Sequence, residues 1–190
     1  MMPHEALREG DALMVIDVQN DFCPGGKLPI AHGDEVIPIL NAWMAAAAEK
    51  RVPVFASRDW HPSVHISFRE QGGPWPPHCL QDTEGAAFHP DLRLPKDAII
   101  VTKGVRFDQD QNSAFDQTGL ATYMKRRGIR RVWVGGLAQD VCVAATVLDA
   151  RAEGLDTHVI EDATKPVTEE QGRAALKKMA EAGAHIERTG

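Results

Sequence analysis

The feature that most constrains the fold of this sequence is an alternation of short apolar runs with longer amphipathic segments. The apolar runs predict strands at Ala12–Ile16, Val52–Ala56, Ala98–Thr102, Arg131–Val134 and Thr157–Ile160. Helical spacing predicts helices at Val36–Glu49, Ser113–Arg127, Val143–Glu153 and Thr168–Ala182. Strands that alternate with helices indicate an α/β fold, in which helices cover both faces of a parallel sheet. The uninterrupted apolar character of the strands agrees, because strands covered on both faces have no polar side.

Length and charge exclude several functional classes. The chain has 190 residues, which suits a single domain over residues 1–190. Its net charge of -6 argues against a nucleic-acid partner, because phosphate binding needs a basic surface. No apolar run approaches the roughly 20 residues of a membrane span, and the first ten residues lack the apolar core of a signal peptide. The three cysteines, an odd number at wide spacing, fit a reducing cytoplasm better than a disulfide framework.

Three polar residues follow predicted strands and are candidates for catalysis. Cys142 opens a helical segment after a strand and a glycine pair, where helix N–H groups would lower the thiol pKa and stabilise an oxyanion. Asp17 ends the first strand and Lys103 ends the Ala98–Thr102 strand, so both should reach the same sheet edge as Cys142. The carboxylate would accept the thiol proton, and the cation would favour the thiolate. Taken singly, each residue is equally explained as a core thiol or a solvated loop residue.

A second candidate site lies in the segment from Ser57 to Leu94, which shows little periodicity and contains many His, Pro and Trp residues. A long irregular segment in a compact domain is often functional. Asp59, His61 and His78 could bind Zn²⁺, Fe²⁺ or Mn²⁺ through two imidazoles and one carboxylate. His65 could instead lie behind the ligands or have a purely structural role. Three aromatic residues flank these positions and suit a pocket for a flat ring: Phe22, Trp60 and Trp75.

Five segments together resemble the nicotinamidase/pyrazinamidase branch of the isochorismatase-like cysteine hydrolases. They are DVQNDF (17–22), SRDWHPSVHISF (57–68), GGPWPPHCLQDTEGAAFHP (72–90), TKG (102–104) and GGLAQDVCV (135–143). The segments occur in the family's order and span most of the chain. The resemblance implies a three-layer α/β/α fold with a mostly parallel, doubly wound sheet. It also implies hydrolysis of nicotinamide, or pyrazinamide, to the acid and ammonia, and hence a role in NAD salvage.

The resemblance also implies roles for individual residues. Asp17, Lys103 and Cys142 would form the catalytic triad. The metal ion, most simply Zn²⁺, would bind Asp59, His61 and His78 and meet the pyridine nitrogen. The oxyanion hole would use the N–H groups of Ala138 and Cys142, with an unusual cis peptide in the Val141–Cys142 region. Substrate contacts would come from Phe22, Trp75 and Gln19, the last near the metal. The family also suggests a homo-oligomer.

Two departures from the family pattern leave the substrate open. Asn112 stands where the family often has a tyrosine, and Gln139 where a small hydroxyl residue is common. Another heteroaromatic amide or a lactam, as in streptothricin hydrolases, is therefore an alternative substrate. A metal-water hydrolase with a structural Cys142 and a non-catalytic binding module also remain open. Cys142 argues against isochorismatases, which lack this cysteine, and the Asp59–His61–His78 set argues against the carbamoyl-amide and ureidoacrylate hydrolases.

Overall fold

The computed structural model describes residues 1–190 and is built around one six-stranded sheet. The strands are β1 (Asp11–Ile16), β2 (Val54–Asp59), β3 (Ile99–Lys103), β4 (Arg131–Leu137), β5 (Asp156–Lys165) and β6 (His185–Glu187). Their order is β3-β2-β1-β4-β5-β6, and every neighbouring pair is parallel. The helices are α1 (Pro3–Ala6), α2 (Val36–Lys50), α3 (Leu120–Arg126), α4 (Ala144–Ala152) and α5 (Glu169–Glu181). The predicted parallel α/β sheet is confirmed.

Two hydrophobic clusters, one on each face of the sheet, produce the three layers. Alternate residues of β1 point to opposite faces, so Leu13 packs in the cluster that contains α2, and Met14 in the cluster that contains α3, α4 and α5. All six residues of β1 are buried, which explains the unbroken apolar run Ala12–Ile16. The longest helix, α2, has 15 residues, and no helix combines the length and apolarity that a membrane crossing requires.

Several element boundaries differ from the predictions for local reasons. The helix predicted at Ser113–Arg127 begins only at Leu120, because the chain turns first and passes through a left-handed Gly119. The strand predicted at Thr157–Ile160 extends from Asp156 to Lys165, into polar residues. Two elements, α1 and β6, were not predicted, because with four and three residues they are too short for a periodic signal.

The chain order creates a crevice at one edge of the sheet. The connection after β1 leads to β2 on one side, whereas β4 pairs with β1 on the other, so β1 and β4 flank a topological switch point. The segment after β2 folds across this edge through short 3₁₀ turns and single bridges, such as His61 with Leu80 and Phe68 with Trp75. Its irregular sequence therefore corresponds to an ordered wall over the carboxyl ends of the strands.

Candidate active site

Strand ends and one helical turn supply the predicted catalytic residues. Asp17 follows β1 in a left-handed conformation (φ 48°), and Lys103 is the last residue of β3. Cys142 lies in a π-helical turn, Gln139–Val143, between β4 and α4. Such turns are rare and occur frequently at functional sites. Gly136 allows β4 to approach β1 here, because a Cβ at this position would overlap the backbone of Ile16.

Lys103 connects the candidate catalytic residues with the candidate metal ligands in one buried cluster. Its Nζ donates hydrogen bonds to Asp17 Oδ2 at 2.8 Å and to Asp59 Oδ1 at 2.7 Å. The same Nζ lies 3.6 Å from Cys142 Sγ. Oxygen atoms of both carboxylates and Cys142 Sγ all lie within 4.8 Å of one another. The side chain of Lys103 is fully buried, so its charge is balanced by these carboxylates and not by water.

The protonation preferences of this cluster follow from burial and from the single cation. Burial raises the pKa of Asp17, although Lys103 opposes the shift. Burial alone would lower the pKa of Lys103, but the carboxylates of Asp17 and Asp59 outweigh it and hold that pKa well above its usual value. Burial also raises the pKa of Cys142 well above its usual value, despite Lys103. The expectation of a lowered thiol pKa was wrong, because desolvation outweighs the cation and the helix N–H groups.

Ser57 and Gln19 hold the two carboxylate residues of the cluster in place through hydrogen bonds. Ser57 Oγ donates a hydrogen bond to Asp17 Oδ1 at 2.7 Å. This residue was not predicted, because its only signal in the sequence is a hydroxyl group in an apolar strand. The Gln19 amide donates to the Asp59 carbonyl at 2.7 Å and accepts from the Asp59 N–H at 2.9 Å. Gln19 is fully buried and does not line the cavity. The predicted Gln19–substrate contact is therefore corrected: Gln19 fixes the backbone of Asp59.

Asp59, His61 and His78 form a donor set that fits a divalent metal ion. One ligand atom from each lies within 4.8 Å of the others. The Nδ1–H of His61 donates to the Gly104 carbonyl at 2.7 Å, and that of His78 to the Pro76 carbonyl at 2.8 Å. These bonds fix the tautomers and leave both Nε2 atoms free to bind a metal.

His65 lies behind this set and not within it. Its ring stacks on His61 with centroids 3.9 Å apart, and its Nδ1 pairs with Ser67 Oγ at 2.7 Å. Burial and the neighbouring His61 lower the pKa of His65 to about 4. The Nε2 atom is buried, has no hydrogen-bond partner and lies 3.8 Å from Asp110 Oδ1. His65 therefore stays neutral and holds the His61 ring in position.

A cavity opens directly above the thiol and the metal donors. Its empty space, counted to include the open mouth, is about 540 Å³. Its lining includes both predicted ring-packing residues, Phe22 and Trp75. Trp60 is not part of the lining and packs against the Arg58 guanidinium, 3.9 Å from the ring centroid. The cavity thus presents aromatic and aliphatic walls to a flat ligand whose polar end faces Cys142.

The two departures from the family pattern have different positions. Asn112 lines the cavity, and its Oδ1 lies 3.9 Å from Cys142 Sγ. Gln139 is buried outside the cavity, where its amide donates to Thr164 Oγ1 at 2.7 Å. Asn112 can therefore touch a ligand, whereas Gln139 ties the start of the π-helical turn to Thr164.

The Ala138 N–H group, one of the two predicted oxyanion donors, lies at the cavity wall. Ala138 lines the cavity, and its N–H donates no hydrogen bond within the protein. The chain contains a cis peptide bond between Leu137 and Ala138. The cis bond was expected in the Val141–Cys142 region and lies instead four residues nearer the N-terminus.

Comparisons with known proteins agree with this geometry. The isochorismatase domain profile matches residues 11–189. A nicotinamidase from Acinetobacter baylyi is 40% identical over 178 residues, covering 82% of this chain and 81% of its own. Pyrazinamidase of Pyrococcus horikoshii in complex with zinc superposes with a TM-score of 0.91 at 43% identity, covering 94% of this chain and 99% of its own. PnC1 of L. infantum in complex with nicotinate superposes with a TM-score of 0.88 at 35% identity, covering 96% of both chains.

Proposed function

The chain belongs to the isochorismatase family, and from this premise we propose that it hydrolyses nicotinamide to nicotinate and ammonia. The observation that carries the proposal is the position of Cys142 beside Lys103 and Asp17, below a cavity walled by aromatic rings and metal donors. The similarity to a nicotinamidase, a pyrazinamidase and a nicotinate complex supports a heteroaromatic carboxamide as the substrate. Pyrazinamide, which differs only in a second ring nitrogen, fits the same description.

The proposed reaction begins with proton transfer from the Cys142 thiol to the Asp17 carboxylate. Because burial raises the pKa of the thiol, the free enzyme holds the proton on sulfur, and Asp17 must take it as a general base once substrate is bound. The thiolate sulfur then attacks the carboxamide carbon, and the electron pair of the C=O bond moves to oxygen. Backbone N–H groups of Ala138 and Cys142 would stabilise this oxyanion, each donor contributing roughly 10²–10³ in rate.

Collapse of the oxyanion breaks the C–N bond. The leaving amine takes the proton that Asp17 received, which yields ammonia and a thioester on Cys142. Asp17 is again a carboxylate and removes a proton from a water molecule, whose oxygen attacks the thioester carbon. Collapse of this second oxyanion breaks the C–S bond and releases the acid, and the proton on Asp17 returns to the Cys142 sulfur. The raised pKa of Asp17 suits both steps, because the carboxyl group must hold a proton transiently near neutral pH. Lys103 keeps Asp17 oriented through its 2.8 Å hydrogen bond.

We propose that Asp59, His61 and His78 hold one divalent ion, with Zn²⁺ favoured over Fe²⁺ or Mn²⁺. The free Nε2 atoms and the adjacent carboxylate support this assignment, as does the zinc complex of the similar pyrazinamidase. A bound ion would supply a Lewis-acidic positive charge at the cavity wall, suited to a basic ring nitrogen. The Gly104 carbonyl keeps His61 aimed at this position.

We also propose that residues 1–190 act as one domain, because strands from Asp11 to Glu187 share the sheet. The cytoplasmic location, the NAD salvage role and the homo-oligomer stay predictions.

Ammonia release from nicotinamide by the purified protein tests the proposal. Cys142→Ala should reduce the rate by at least about 10⁴-fold, whereas Cys23→Ala, which alters a buried thiol outside the cavity, should retain it. Removal of bound metal by a chelator should reduce the rate, and added Zn²⁺ should restore it. Full activity of Cys142→Ala would instead indicate a metal-water hydrolase. No release by folded, metal-loaded protein would exclude nicotinamide and direct the search to other heteroaromatic amides or lactams.

A further inference from the structure

A second group of metal-ligand side chains lies at the opposite edge of the sheet, far from the catalytic cluster along the strands. Asp156 and His158 are two residues apart near the start of β5, and His185 and Glu187 are two apart on β6. His158 pairs in register with His185. Because side chains two residues apart on a strand share a face, all four groups project from the same face of this edge.

The spacing of the donor atoms suits a single metal ion. Asp156 Oδ1 lies 3.4 Å from His158 Nε2 and 3.6 Å from His185 Nε2. The two imidazole rings stack with centroids 4.7 Å apart. Ligands of a tetrahedral zinc ion with bonds of about 2.0 Å lie roughly 3.3 Å apart. All three donor atoms lie within 4.8 Å of one another, so rotation of the side chains can bring them to a common ion.

His158 is held in the tautomer that metal binding needs. Its Nδ1 lies 3.0 Å from Glu187 Oε2, and since a carboxylate only accepts, this nitrogen carries the proton. The other nitrogen, Nε2, is buried and has no hydrogen-bond partner, and the residue as a whole is 8% exposed. A histidine that donates to a carboxylate and offers its second nitrogen to a metal is a common arrangement in metalloproteins. The unpaired Nε2 lies 3.4 Å from Asp156 Oδ1.

The surroundings favour a cation and keep the site rigid. The His158 ring stacks on Trp133 with centroids 4.2 Å apart, which fixes its orientation. Arg131 pairs in register with Asp156, and its guanidinium donates hydrogen bonds of 2.7 and 2.6 Å to Asp11. The carboxylates of Asp156 and Glu187 therefore leave a net negative charge for an incoming ion. Asp156 and His185 are partly open to solvent, which gives the ion an entry path.

We propose that Asp156, His158 and His185 bind a second divalent ion of the Zn²⁺ class, with Glu187 orienting His158. Two imidazoles and one carboxylate select borderline metals over Ca²⁺ or Mg²⁺, which prefer oxygen ligands. The site is structural and not catalytic, because it lies at the amino-terminal edge of β5 and outside the cavity. The bound ion links the three-residue strand β6 to β5.

Titration of tag-free protein with Zn²⁺, followed by calorimetry and by metal content after dialysis, tests the proposal. Wild type should bind two equivalents per chain. His185→Ala alters an exposed side chain and should still fold, yet bind one equivalent with unchanged amidase activity. Asp156→Asn should behave likewise, and His4→Ala, an exposed histidine outside both groups, should still bind two. His61→Ala should lose the other equivalent and keep this one.

Thermal unfolding supplies a second readout. Excess Zn²⁺ added to protein that already holds one equivalent should raise the Tm of wild type and of His4→Ala, and not that of His185→Ala. The same number of equivalents in His185→Ala as in wild type would overturn the proposal and leave the group as an ion-paired histidine cluster. A single equivalent in wild type that His185→Ala loses and His61→Ala keeps would count against the other metal site instead.

Discussion

Replacement of Lys103 by methionine should expose how strongly the buried cluster depends on one cation. Methionine keeps most of the side-chain volume and removes the charge. Lys103 Nζ lies 2.8 Å from Asp17 and 2.7 Å from Asp59. At an effective dielectric constant of about 20, each contact is worth roughly 6 kcal/mol of Coulomb energy, most of which offsets desolvation. Removing one partner from a buried ion pair costs about 3–5 kcal/mol in net stability.

That loss should lower the Tm of the variant by about 6–20 °C, since 1 kcal/mol corresponds to roughly 2–4 °C in a domain of this size. Calorimetry on metal-free protein measures it best, because an ion on Asp59 would offset part of the effect. Lys125→Met is the matched control. Lys125 pairs with Glu153 at the same distance of 2.7 Å, but both side chains are exposed. Its loss should cost less than about 1 kcal/mol.

The cost of Lys103→Met should shrink as the pH falls. Burial raises the pKa of Asp17 even with Lys103 present, so without the cation this carboxyl group takes up a proton more readily and loses its unpaired charge. Burial also acts to raise the pKa of Asp59, but Lys103 and His61 hold it below its usual value in wild type. The stability from that ionised carboxylate is present above about pH 4 and is lost below it. Both effects reduce the difference in unfolding free energy between wild type and Lys103→Met at low pH.

The double variant Lys103→Met/Asp17→Asn separates charge from packing. Removing the unpaired carboxylate should restore part of the lost stability, and the interaction energy from the double-mutant cycle should exceed about 1 kcal/mol. A Tm for Lys103→Met equal to that of Lys125→Met, or additive effects in the cycle, would refute the electrostatic account.

Three further variants test supporting residues. Gln19→Leu should weaken zinc binding about 10–100-fold because the Asp59 backbone loses its anchor; unchanged affinity in a competition assay would contradict this. Ser57→Ala should leave one oxygen of Asp17 without its donor and cost about 1–3 kcal/mol in chemical denaturation, with a lower kcat; retention of both would refute the role. Asn112→Ala should raise KM for nicotinamide a few-fold with little change in kcat, by loss of about one hydrogen bond; an unaffected KM would show that the substrate does not touch it.

The sequence predicted the architecture because buried strands and amphipathic helices each produce a recognisable pattern of apolar residues. The uninterrupted apolar run of β1 and the helical spacing of α2 depend only on burial, and both elements lie within two residues of their predicted bounds. The short strand β6 has no such pattern. Its formation depends on pairing with β5, and pairing between distant segments is not a local property of the sequence.

The active site likewise has features that the sequence predicts and features that it does not. Asp17 and Lys103 could be assigned to one sheet edge because strand ends of a parallel sheet converge there. The contact between Lys103 and Asp59 could not be predicted, because it depends on their register across β2 and β3. Nor could the direction of the Cys142 pKa shift be predicted, because it depends on how completely the surrounding segments exclude water.

The shared Lys103 changes how variants of the metal donors must be interpreted. Asp59 contributes to the raised pKa of Asp17 through its negative charge, and both compete for the same ammonium group. Removing the charge of Asp59 would therefore lower the pKa of Asp17 and strengthen its bond to Lys103, in addition to weakening metal binding. His78 has no contact with Lys103, since its Nδ1 is bonded to Pro76 and its ring faces the cavity. Activity lost in a His78 variant thus reports on metal binding, whereas activity lost in an Asp59 variant combines metal binding with proton transfer.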